Sequence, residues 1–297
     1  MMNTDHYTKL RQWILAIRPK TLGISVSPVL VGSSLAWAEL GSINWLLAVA
    51  ALIAAMLIQI GTNLHNDAAD YERGTDTLDR VGPARATAQG WFTSAEVKRA
   101  AYICFGLAFV AGIYLSTVGG LPIVAIGLFS LVAGYAYTGG PRPIAYSASG
   151  ELFVFLFFGL IAVMGSYYLQ SLQLSLNAFY SACALGMLAA AVLLVNNYRD
   201  LETDRKAGKH TLVHYLGAAN SRIVYGLLLL LPFLLPLLLN GFDVWRWLPL
   251  ILLPLALLLL YNFMQELPGV AFNQYLAQTA RLQLVFSILL CLGFHIG

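Results

Sequence analysis

The chain has 297 residues, of which 59% are hydrophobic and only 10% charged, and its formal net charge is +3. A soluble domain carries about 25% charged residues, so this composition excludes one, along with disordered, collagen-like, coiled-coil and disulfide-scaffold proteins. Uncharged runs recur at the length a helix needs to cross roughly 30 Å of hydrocarbon, so the chain reads as an all-α integral membrane protein, a single transmembrane domain over residues 1–297.

In chain order the apolar runs predict nine membrane-spanning helices, near residues 22–40, 43–64, 96–116, 119–138, 150–170, 176–198, 222–240, 244–263 and 274–295. The first ends in Ala36-Trp37-Ala38, like a signal-peptide cleavage site, but its apolar run is longer than a signal-peptide core and is read as a span. Cys104, Cys183 and Cys291 lie inside apolar runs without C-x-x-C spacing and read as small packing residues. The N-terminal segment and the connections after spans two, four, six and eight hold 16 of the 17 basic residues, leaving Arg246 alone on the other side. That asymmetry predicts a cytoplasmic N-terminus, cytoplasmic even-numbered connections and an outside C-terminus in the inner (cytoplasmic) membrane. The partners expected are membrane lipid and small molecules, with no nucleic acid.

Ionisable residues are costly near hydrocarbon, so their clusters mark function. Eight of the fourteen acidic residues fall in two connections, 63–80 and 196–212. Overlaid at an offset of 134, these match Asn63 with Asn197, Asn66 with Asp200, Asp70 with Asp204, Gly74 with Gly208, Thr77 with Thr211 and Leu78 with Leu212. The shared pattern, N-x-x-[N/D]-x-x-x-D-x-x-x-G-x-x-T-L, predicts a duplication in which spans 1–4 correspond to 5–8 and the ninth is an addition. On helices continuing past the membrane, Asn63, Asn66 or Asp67, and Asp70 share one face, as do Asn197, Asp200 and Asp204. Carboxylates so placed repel unless a cation lies between them, and oxygen donors without a thiol favour a hard ion, Mg²⁺ first. Arg73, Arg80, Arg85, Arg205, Lys206 and Lys209, interleaved with the carboxylates, suit a phosphate-bearing ligand. His65 and His210 read as supporting residues rather than ligands.

Four stretches resemble the UbiA superfamily of intramembrane aromatic prenyltransferases, most closely its naphthoate-prenylating branch. They are residues 16–22 (AIRPKTL), 66–83 (NDAADYERGTDTLDRVGP), 137–143 (YTGGPRP) and 196–209 (NNYRDLETDRKAGK). The resemblance implies a helical bundle around a central cavity, with Mg²⁺ as cofactor and polyprenyl diphosphate and 1,4-dihydroxy-2-naphthoate as substrates. It implies metal ligation by Asn66, Asp67, Asp70, Asp76, Asn197, Asp200 and Asp204. Asp76 stands in for the superfamily's usual last acidic position, which is Gly74 here. It further implies diphosphate contacts from Arg73, Arg80, Arg205, Lys209 and Lys20, and catalytic roles for Asp70, Asp204, Arg142 and Tyr137. Tyr137, Tyr198 or Tyr71 would shield an allylic cation, and Arg142, Arg18 or Lys20 would pair with the acceptor carboxylate. Two rival readings are a superfamily member with another aromatic acceptor and, in a different class, a secondary transporter, which also combines repeats with many spans.

Overall fold

The computed structural model describes residues 8–76, 81–241 and 243–296. The described residues form helices and connections without a strand: α1 (Lys9–Ile17), α2 (Pro19–Leu40), α3 (Trp45–Glu72), α4 (Ser94–Ala136), α5 (Gly150–Phe155), α6 (Ala162–Ser171), α7 (Leu176–Arg199), α8 (Leu201–Lys206), α9 (Leu212–Leu230), α10 (Leu253–Gln265) and α11 (Phe272–Ile296). Eight helical stretches among them are long and apolar enough to cross a membrane, and the chain is an integral membrane protein.

The runs predicted as spans at 96–116 and 119–138 are two helical arms that meet at a kink within the 43 residues labelled α4. At 1.5 Å per residue it would be roughly 65 Å long if straight, twice the hydrocarbon thickness. It is not straight: Gly120 takes φ 62° and ψ −154°, and Pro122 follows. The two arms fold back on α3, since Phe105 on the first lies against both Gly61 of α3 and Gly134 on the second. A Thr93–Glu96 capping box starts the first arm.

Prolines also account for the irregular later spans. The run predicted at 222–240 begins earlier, as α9, and continues through short 3₁₀ turns at Leu231–Phe233 and Leu235–Leu238, where Pro232 and Pro236 lack the N–H an α-helix requires. The next opens as 3₁₀ helix, Val244–Leu252, and becomes α10 only at Leu253. Between α5 and α6, Leu156–Ile161 forms a π-helical segment inside one continuous span.

Arg18 separates α1 from α2 in the left-handed conformation, φ 59° and ψ 63°. Pro19 follows, and proline disfavours helical geometry in the residue before it, which favours a break between the two helices here. The turn lays α1 against α3, with Ala16 packed among Leu64, Ala68, Val97 and Ala101. Elsewhere helices approach closely through glycine: a Cβ on Gly159 would lie 2.6 Å from the Ala182 carbonyl oxygen and 2.6 Å from Gly186 Cα. Small residues at such crossings let backbones meet where lipid offers no hydrophobic drive.

Four connections gather at one end of the bundle. The Arg73 guanidinium donates to the Thr138 and Gly140 carbonyls, His210 N–H donates to the Tyr146 carbonyl at 3.1 Å, and Asn273 Nδ2 donates to the Val81 carbonyl at 3.1 Å. The cysteines are free thiols.

Gly159→Leu should overpack the α7 crossing and destabilise the protein by about 1–3 kcal/mol. Thermal unfolding in detergent measures this, and a wild-type melting temperature would contradict the packing described.

Candidate active site

The two matched motifs end their helices in the same way. In the first, Gly74 N–H donates to the Tyr71 carbonyl at 2.9 Å and Thr75 N–H to the Asp70 carbonyl at 3.0 Å. In the second, 134 residues on, Gly208 N–H donates to the Arg205 carbonyl at 3.3 Å and Lys209 N–H to the Asp204 carbonyl at 2.9 Å. Both glycines take φ 71°. This is the Schellman termination, which needs a left-handed residue one place past the cap and therefore favours glycine. Asp70 and Asp204 occupy equivalent places in the two turns.

The strips differ in one respect from the sequence expectation. α3 runs unbroken to Glu72, but α7 stops at Arg199, Asp200 leaves helical geometry at φ −93° and ψ 8°, and Asp204 belongs to the separate short helix α8. Thr203 Oγ1 donates to the Asp200 carbonyl at 2.9 Å, at the carbonyl that also accepts from Asp204 N–H. Despite the break, Asn197, Asp200 and Asp204 line the same cavity as Asn63, Asn66, Asp70 and Asp76.

That cavity, of about 1140 Å³, has a polar head and an apolar body. The head is built by the ends of α3 and α7, the connections after them, and Arg18. The body lies between α2, α3, both arms of α4, the α5–α6 span and α7, with rings such as Phe109, Phe153, Phe157 and Phe158 on its wall.

Asp70, 1% exposed, organises the head. Its Oδ1 accepts from Tyr146 Oη at 2.8 Å, and its Oδ2 lies 3.3 Å from Lys209 Nζ and 3.6 Å from Arg85 Nη2. Arg85 also pairs with Asp76 through Nε at 2.9 Å and donates to Asn66 Oδ1 at 2.7 Å. Burial, with the Asp70 carboxylate beside it, pushes the Tyr146 phenol well above its ordinary pKa, so it stays a donor to Asp70 through neutral and mildly alkaline pH. On the α7 side Arg199 holds Asp200 with two hydrogen bonds, at 2.8 and 2.6 Å, and reaches Asn273 on α11 at 3.0 Å. Among the described residues no three His, Cys, Asp or Glu side chains converge as a ready metal-binding cluster.

Several predicted site residues do other work. Asp67 lies roughly 100° round the helix from Asn66 and points away from the cavity. Its carboxylate accepts from the backbone N–H groups of Ala86 and Thr87, at 2.8 and 3.0 Å, and from the Thr87 hydroxyl, fastening the connection that carries Arg85. Arg73, spent on the carbonyls of Thr138 and Gly140, lies outside the cavity lining. Arg142, Arg205 and Lys20 are exposed and outside it as well, because their loop or helix faces turn to solvent. Of the predicted diphosphate group only Lys209 lines the cavity, and Arg80 lies outside the described residues. Tyr137 lines the head; Tyr198 is buried among Phe263 and Phe272, and Tyr71 is exposed. His65 is buried against Thr138, in a supporting position.

Sequence reasoning missed several residues that support the strips. Arg85 was only one cation among six, and nothing in its spacing marks it as the partner of Asp70 and Asp76. Tyr146 carried no signal beyond residue type, and Arg199 and its hydrogen-bond acceptor Asn196, a cavity-lining residue, lie in the 196–209 stretch without being singled out there.

Comparison with known proteins identifies the family. The profile of the UbiA prenyltransferase family matches residues 25–268. The chain belongs to the UbiA prenyltransferase family. It is 37% identical to the 1,4-dihydroxy-2-naphthoate octaprenyltransferase of Escherichia coli (strain K12), over all of this chain and 99% of that protein. It is 38% identical to the Mycobacterium tuberculosis (strain ATCC 25618 / H37Rv) protein of the same name, over 83% of this chain and 84% of that one. Among solved structures, a UbiA homologue from Archaeoglobus fulgidus bound to DMAPP and Mg²⁺ shares the fold, with a TM-score of 0.65 at 15% identity over 94% of this chain and 99% of that one.

Asp67→Ala leaves the Ala86 and Thr87 amides without their acceptor, a loss of about 1–3 kcal/mol. Hydrogen exchange at those two amides should quicken by at least about tenfold. Unchanged protection there would show that Asp67 does not fasten this connection.

Proposed function

We propose that the chain transfers a polyprenyl group from polyprenyl diphosphate to 1,4-dihydroxy-2-naphthoate, with loss of CO₂ and dependence on Mg²⁺, giving demethylmenaquinol for menaquinone biosynthesis. One observation carries the reading: a single cavity joins two duplicated Asn/Asp strips, with cations between them, to an apolar body of the kind a prenyl tail needs. The identity to naphthoate octaprenyltransferases over the full chain supports the acceptor.

The head residues fit a hard divalent ion, since their donors are carboxylate and carboxamide oxygens without a thiol. Asn66, Asp70 and Asp76 on one side and Asn197, Asp200 and Asp204 on the other would hold it. When bound, Mg²⁺ supplies positive charge against the phosphate oxygens as the allylic C–O bond breaks. Lys209, Lys206 and Arg85 line the same head and receive the departing diphosphate, which takes the electron pair of that bond. Tyr137 and the phenylalanine rings of the body exclude water from the allylic cation and offer it π faces. Arg18 orients the acceptor through its carboxylate. The ring carbon bearing that carboxylate forms the new C–C bond, and CO₂ leaves with the ring's aromaticity restored.

The same reading takes the two arms of α4 as separate crossings, giving nine spans in a 4+4+1 arrangement and one domain. The polar head then faces the cytoplasm, a reading supported by the 16 basic residues assigned to that side. A transporter would place its polar groups near the bilayer midplane, whereas these gather at the helix ends.

Purified protein in nanodiscs, given dihydroxynaphthoate and a polyprenyl diphosphate, should release diphosphate and form prenylated product only with Mg²⁺. Asp70→Ala and Asp204→Ala should each lower turnover at least about hundredfold, the scale for losing one electrostatic contributor. Near-normal turnover in either variant at saturating Mg²⁺ would refute the two-sided site. Diphosphate release without naphthoate product would point to another acceptor.

A further inference from the structure

Glu151 is a buried carboxyl, 5% exposed, in the first turn of α5. It makes no ion pair among the described residues. Its Oε1 accepts from Asn197 Nδ2 at 2.8 Å, and its Oε2 is buried without a hydrogen-bond partner among the described residues. Packing alone gives no reason for such a group, because an apolar side chain of similar size would avoid the cost of burying it.

The duplication supplies the reason. Asn197 corresponds to Asn63 at the offset of 134, and the same offset sets Glu151 against Ile17. Asn63 Nδ2 donates to the Ile17 backbone carbonyl at 3.1 Å. That carbonyl is available because the chain breaks at Arg18: Thr21 N–H, which would accept the helical role four residues on, donates instead to the Arg18 carbonyl at 3.1 Å. Matched asparagines are therefore gripped by matched positions, through a main-chain carbonyl in one half and a carboxylate in the other. Each grip takes the Nδ2 donor, and each asparagine lines the cavity. A carbonyl can only accept, so the Asn63 amide is turned with Oδ1 away from Ile17, and Asn197, donating Nδ2 to Glu151 Oε1, is turned in the same sense.

We propose that Glu151 is a positioning residue that holds the Asn197 carboxamide with Oδ1 toward the cavity as an oxygen ligand, the role the Ile17 carbonyl plays for Asn63. The proposal rests on the metal-dependent reading given above. Without the grip the amide is no longer held with Oδ1 toward the cavity, and a ligand oxygen must be ordered at the cation's expense. Groups that orient a metal ligand from behind carry about 10- to 100-fold in metal affinity.

The test is a Mn²⁺ titration of the full chain in nanodiscs, followed by electron paramagnetic resonance, together with the Mg²⁺ dependence of turnover. Glu151→Leu should weaken Mn²⁺ binding and raise the half-saturating Mg²⁺ concentration by about tenfold or more, while kcat at saturating Mg²⁺ stays within a few-fold of wild type. Glu151→Gln, which keeps an acceptor oxygen for Asn197 Nδ2, should bind Mn²⁺ within about threefold of wild type. Wild-type Mn²⁺ affinity in Glu151→Leu, or equal losses in the Leu and Gln variants, would overturn the assignment. If Glu151→Leu fails to fold, the pair Glu151→Gln with Asn197→Asp decides: Gln Nε2 then donates to the new carboxylate, an oxygen still faces the cavity, and Mn²⁺ binding should persist. Its loss would overturn the proposal. Wild-type protein that neither binds Mn²⁺ nor needs Mg²⁺ would overturn the metal reading itself, an outcome distinct from failure of the Glu151 variants alone.

Discussion

A carboxylate almost without solvent is tolerable only if donors and cations surround it, and Asp70 draws those partners from three separate stretches of chain. Tyr146 comes from the connection after α4, Lys209 from the connection after α8, and Arg85 from the connection after α3. Satisfying one buried charge thus closes the head of the cavity and brings the two acidic strips to it. Arg85 in turn depends on Asp67, whose carboxylate fixes the backbone beside it. Removing any of these partners leaves a buried charge exposed to its neighbours, which makes the head a cooperative unit rather than a set of independent contacts.

The match between the two motifs is visible in backbone geometry as well as in residue types. Two glycines with the same φ end two helices through the same pair of hydrogen bonds, so the acidic residues just upstream occupy equivalent turns. The halves then diverge in their supports. The first uses a left-handed Arg18 and a freed carbonyl, whereas the second uses the side chain of Glu151. The first acidic strip is neutralised from distant loops, whereas Asp200 is held by its own neighbour Arg199, which also ties α7 to α11.

The class of the fold was readable because hydrocarbon thickness sets the length of an apolar run. The acidic strips were readable because period and offset survive in one sequence: Asn66, Asp70, Asn197, Asp200 and Asp204 all line the cavity, as does Asp76, which only the family resemblance singled out. The side-chain direction of Asp67 was not, since one step round a helix separates a cavity ligand from a loop fastener. Nor were the cations. Charge runs identify the face on which Arg73, Arg142 and Arg205 lie, but not whether a loop carbonyl or solvent claims them. The two apolar runs of α4 were legible as separate arms, but the non-helical Gly120 backbone that folds one arm back on the other is a tertiary outcome that composition does not encode.

The central claim is that both strips act on one ligand in one cavity head. Anomalous diffraction from crystals grown with Mn²⁺ and a non-hydrolysable prenyl diphosphate tests it most directly. The account predicts metal density beside Asn66, Asp70 and Asp76 and beside Asn197, Asp200 and Asp204, with the diphosphate between them and the prenyl chain in the apolar body. Metal beside one strip alone, or a diphosphate bound outside the head, would contradict it.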